Sequence, residues 1–73
     1  MILSELAEMF YPFQRVMVHE LSDEGDSGYS VVYEGVCSDI PESMGNGGDV
    51  DAVNITNEDG ILLHVYVTPI WLT

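Results

Sequence analysis

The segment Ile61 to Thr68 is apolar at nearly every position, and it restricts the fold more than any other stretch of this chain. In an extended conformation Leu62, His64 and Tyr66 face one way, and Ile61, Leu63, Val65 and Val67 the other. A strand apolar on both faces belongs near the centre of a sheet, so the remaining sequence must supply flanking strands. Phe13 to Leu21 alternates, with Val16 and Val18 on one face and Met17, His19 and Leu21 on the other. Tyr29 to Cys37, rich in valine and tyrosine, reads as a second strand, and Val50 to Thr56 as a third. The polar, glycine-punctuated run Ser22 to Gly28 closes the first two into a hairpin. Asn57-Glu58-Asp59-Gly60 closes the last two, and its Asp-Gly pair is the strongest turn signal present.

Ahead of the strands, Leu3, Leu6, Met9 and Phe10 recur at helical spacing, with Ser4 as the cap and Glu5 in the first turn. Pro12 disfavours helical geometry at Tyr11 and ends the segment. A helix of about two turns is unstable alone and must dock on the sheet. Between strands two and three, Ser38 to Met44 reads as a helical turn, with Asp39 or Ile40 at its cap and Pro41 at the first helical position. The expected fold is therefore α+β, in one domain spanning residues 1–73. It is a four-stranded, mainly antiparallel sheet with a short N-terminal helix and a helical turn between strands two and three. One short helix cannot cover four strands, so the face carrying Met17, His19, Leu62, His64 and Tyr66 stays partly open.

Charge constrains function where the strands constrain the fold. The chain holds 13 acidic residues against one basic side chain, Arg15, for a formal charge of −12. Direct binding of nucleic acid is thereby disfavoured, and attraction to a cationic protein surface is favoured. The acids fall mostly at element ends: Glu20, Asp23, Glu24 and Asp26 around the first hairpin loop, Asp49 and Asp51 at the start of strand three, Glu58 and Asp59 at the second turn. Carboxylates spaced on a rigid scaffold can imitate the charge ladder of DNA. Those eight residues are the candidate partner-binding set, with Trp71 supplying an uncharged anchor. The tail Pro69-Ile70-Trp71-Leu72-Thr73 has two readings: it folds back over the open sheet face, or it anchors a partner or a second copy.

Other chemistry is weakly signalled. Asp23 to Glu34 partly matches a calcium loop, with Asp23, Ser27, Gly28 and Glu34 in place, but Gly25 offers no side-chain oxygen and the segment alternates as a strand. His19 and His64 can meet across adjacent strands near Glu20 or Cys37, without a third ligand fixed by spacing. Cys37 reads as a buried small hydrophobe. No acid, base and nucleophile can be assigned together, so neither catalysis, a metal nor a cofactor is expected. The N-terminus lacks a signal-peptide pattern and no run approaches a membrane span, which makes a cytoplasmic protein the expectation.

The small size, the acid groups at Glu20 to Asp26, Asp49 to Asp51 and Glu58 to Asp59, and the near-absence of bases resemble short acidic proteins encoded by bacteriophages and other mobile elements. Some of those are anti-CRISPR proteins or other DNA mimics that block host nucleases. The stretch Tyr33-Glu34-Gly35-Val36-Cys37-Ser38-Asp39-Ile40-Pro41 likewise resembles a strand-then-turn found in small proteins of such elements. The resemblance implies a non-enzymatic inhibitor that occupies the basic nucleic-acid-binding surface of a partner protein. The alternative expectation is a homodimeric assembly module, built through the open face or strand edges, whose charge serves solubility alone.

Overall fold

The computed structural model describes residues 1–22, 28–57 and 59–72. In chain order these form α1 (Leu3–Ala7), β1 (Arg15–Leu21), β2 (Tyr29–Val36), a 3-10 turn (Cys37–Asp39), α2 (Glu42–Asn46), β3 (Gly48–Asn57), β4 (Ile61–Pro69) and a closing 3-10 turn (Ile70–Leu72). The four strands make one sheet in the order β2-β1-β4-β3. The doubly apolar strand β4 is thus central, as its composition requires. The outer pairings are antiparallel and the central one, β1 with β4, is parallel. The fold is α+β on a mixed, mostly antiparallel sheet.

Burial follows the alternation of the sequence. Leu3, Val16, Val18, Leu63, Val65 and Val67 are each at most 2% exposed, and Leu6, Phe10, Ile40 and Met44 pack around them. Val16 lies beside Leu63 and Val18 beside Val65 across the parallel seam. Each such side chain contributes roughly 1.5–3 kcal/mol by leaving water. Cys37 joins this core at 7% exposure, as a small hydrophobe.

Several boundaries differ from the sequence pattern, each for a local reason. Ile2, not Ser4, occupies the N-cap of α1. Ile2 is held extended by a bridge to Asp49, and the Val50 amide donates to the Met1 carbonyl at 2.8 Å, so the helix starts two residues early. Glu5 accepts from the Ile2 amide at 3.1 Å. Ser4 instead hydrogen-bonds Asn46 at 3.3 Å, tying α1 to α2. Beyond Ala7 the chain tightens into Met9-to-Leu6 and Phe10-to-Ala7 bonds. That overwinding turns Met9 off the buried face, leaving it 67% exposed. β1 begins at Arg15 because a Gln14-to-Tyr11 hydrogen bond closes a turn through Phe13. Pro41 caps α2 from outside, and Gly45, expected past its end, lies buried within it. A side chain at 45 would meet the Ser4 Cβ at 3.2 Å, so glycine is what lets the two helices approach. At the second turn Gly60 has φ +108°, the conformation for which the Asp-Gly pair is suited.

Candidate functional site

The parallel seam decides which acids meet. Because β1 and β4 run the same way, their C-terminal ends and the first residues of β2 and β3 share one end of the sheet. Glu20 is level with Val67, and Val67 with Val50, which Asp49 and Asp51 flank. Trp71 follows directly after β4 at that same end and is 68% exposed. Asp59 lies at the opposite end, beside the start of β4, and is separated from the others by the length of the sheet. Asp23, Glu24, Asp26 and Glu58 lie outside the described residues.

The clustered carboxylates are held differently. Asp51 falls at a register shift between Val50 and Ala52, so no residue of β4 stands opposite it. Its Oδ2 accepts hydrogen bonds from the Thr68 and Tyr29 hydroxyls, the latter at 3.1 Å. The bond to this carboxylate is the main reason the Tyr29 phenol titrates above its ordinary range. Asp51 is thereby oriented by residues of β2 and β4. Neither Tyr29 nor Thr68 stands out in the sequence, since the bulge that brings them to Asp51 has no local signature. Asp49 lies 3.8 Å from the Met1 amine, the one ion pair among the described residues. Glu20 is half-buried, and the other described acids are exposed.

The open sheet face carries a line of rings. The Tyr29 ring meets Tyr66 edge-on with centroids 5.2 Å apart, Tyr66 stacks on His19 at 4.5 Å, and His19 stacks on His64 at 5.3 Å. His19 Nε2 and His64 Nδ1 stand 3.1 Å apart, and His64 Nε2 is 3.0 Å from the Thr56 hydroxyl. The histidines do meet, as adjacent strands allow. Cys37, however, lies in the core on the other face, and Glu20 alternates to the side opposite His19. Among the described residues no three metal-ligating side chains gather. Burial, and then the charge of His64, hold the His19 imidazole below its ordinary pKa.

Two further readings from the sequence meet the geometry here. The tail does not fold back over the open face: the Ile70 amide donates to the Gly47 carbonyl at 2.8 Å. That bond fixes the tail at the junction of α2 and β3, and the open face is already covered by its own rings. The calcium-loop match also fails at its distal end, because Glu34 sits within β2 opposite Met17 where a helix should leave. No described helix is long and apolar enough to cross a membrane. Comparison with known proteins finds no matching family model, no matching curated protein and no matching solved structure.

Proposed function

We propose that this chain is a non-enzymatic interaction protein that engages the basic nucleic-acid-binding surface of a larger protein, in the manner of anti-CRISPR proteins and other DNA mimics. The observation that carries this reading is the shared position of Glu20, Asp49, Asp51 and exposed Trp71 at one end of the sheet. Carboxylates beside an exposed indole suit lysine and arginine, by ion pairing and by cation–π contact. Arg15 makes no ion pair among the described residues, so the negative field is scarcely opposed from within. Asp23, Glu24 and Asp26, outside the described residues, remain members of the partner-binding set in this reading. Asp59, at the far end, is outside the contact. The setting is the cytoplasm of the cell whose nuclease is blocked.

The test is capture of bacterial nucleic-acid-binding proteins on the immobilised chain, followed by elution with duplex DNA and titration of the eluted protein. DNA should displace the partner, and affinity should fall steeply with salt. Glu20→Gln, Asp49→Asn and Asp51→Asn together should weaken binding by roughly tenfold or more, about 1.4 kcal/mol. Retention of full affinity by that triple variant overturns the reading.

One observation favours a second reading. β2 is an edge strand, and its Val31 and Val32 are 52% and 39% exposed. Such an edge can pair with a second copy, giving a homodimer whose charge serves solubility. Light scattering separates the two: a dimer mass lost in Val31→Lys, with no DNA-displaced partner, favours assembly.

A further inference from the structure

We propose that the hollow between α1 and the connection from Cys37 to Asn46 binds a small organic amine, an ammonium head on an apolar body. A cavity of about 440 Å³ opens there, within the roughly 300–1,000 Å³ typical of small-molecule sites. It lies on the helix-covered side of the sheet, apart from the acidic end described above. Ala7, Phe10, Cys37 and Ile40 line it with apolar surface. Burial pushes the Cys37 thiol up from its ordinary pKa, so this position presents a neutral sulfhydryl.

Its rim is of one sign. Glu8 comes from the helix side and Glu42 from the connection, and both are exposed. Neither makes an ion pair among the described residues. Arg15, the only basic side chain of the sequence, lines a different hollow with Thr56, Asp59 and Leu62. The walls are held in place: the Ser4 hydroxyl bonds Asn46 across them, and Gly45 packs against the Ser4 Cβ.

This arrangement selects by exclusion. Rim carboxylates repel carboxylate and phosphate ligands. The apolar floor gives no return for stripping water from a bare metal ion or a polyamine charged along its length. What fits is a ligand whose apolar body replaces water on the floor while its cationic head stays at the wet rim. An arylalkylamine has that shape.

The experiment is a proton–nitrogen NMR titration of the full chain with phenethylamine, its neutral analogue phenethyl alcohol and the anionic analogue hydrocinnamate. Phenethylamine should give saturable shifts centred on the Ala7, Phe10, Cys37 and Ile40 amides. It should bind about tenfold more tightly than the alcohol, and hydrocinnamate should not bind. Glu8→Gln with Glu42→Gln, both at exposed positions, should abolish the preference for the amine and leave binding of the alcohol as it was. Asp49→Asn with Asp51→Asn should leave both unchanged. Equal affinity for amine and alcohol overturns the proposal. So do shifts centred on other carboxylates, absence of saturable shifts at the four amides, or a preference that survives in the Glu8/Glu42 variant.

Discussion

Alternate residues of β4 live in two different environments. Leu63, Val65 and Val67 are at most 2% exposed, sealed beneath α1 and the 37–46 connection by mainly apolar side chains such as Leu6, Phe10 and Ile40. Leu62, His64 and Tyr66, one residue away in each case, lie half-buried on the open face. No described helix covers that face, and it is closed by ring stacking and by hydrogen bonds between His19, His64 and Thr56. One face is covered by another layer of the fold; the other covers itself. The first gains from excluding water entirely, the second from satisfying polar groups while apolar surface is partly shielded.

The comparison breaks most visibly at Leu63. Leu63→Ala removes packing from the sealed face and should cost about 2–5 kcal/mol. A domain this small draws only about 3–5 kcal/mol from its core, so circular dichroism at room temperature should report a largely unfolded chain. A cooperative transition near that of the parent would contradict the assignment of this face as the main source of stability. Acidification should sharpen the contrast with a smaller effect. The folded-state pKa of His19 lies below the ordinary 6.5, so below neutrality the unfolded chain takes up that proton first. The stability this group contributes is present above the unfolded value and is lost as pH falls through the folded one. In denaturant titrations at about pH 7.5 and about pH 5.5, the parent should lose more stability than His19→Gln; equal losses would remove the histidine pair from the account. The smallest effect is expected at Ile55. It faces the sealed side opposite Leu63 but is 59% exposed, beyond the reach of α1. Ile55→Ser should therefore change stability by less than about 0.5 kcal/mol, and a loss above about 2 kcal/mol would mean that the cover extends further than described.

The division between faces was legible in the sequence because extended chains alternate with a fixed period of two. Val16, Val18, Leu63, Val65 and Val67 fall on one side, and Met17, His19, Leu62, His64 and Tyr66 on the other, whatever the strand directions. Direction is what alternation cannot carry. The parallel pairing of β1 with β4 depends on how the 37–46 connection crosses the sheet, and that same crossing forms the amine hollow. The candidate site was legible as residue types but not as an arrangement. Glu20, Asp49, Asp51 and Trp71 fall at one end of the sheet, while Asp59 goes to the other end. The tyrosine and threonine that orient Asp51 depend on a one-residue bulge that follows no compositional rule. The tail kept two readings because apolar composition carries no direction; a backbone bond from Ile70 to Gly47 keeps it at the sheet end, with Trp71 exposed.

The parallel seam also makes folding a docking problem. β1 closes on β2 and β3 on β4 through neighbouring segments of chain, but a lone pair of strands is marginal in water. Val16 and Leu63, which meet at the seam, come from opposite ends of the sequence, and the entropy of joining them must be overcome before the core exists. Bringing the two strand pairs together is therefore the entropically costly step, and their apolar flanks stay uncovered until they dock. With 13 acids along the chain, half-folded copies repel one another during that interval. The charge thus guards the route to the fold as well as the surface of the finished molecule.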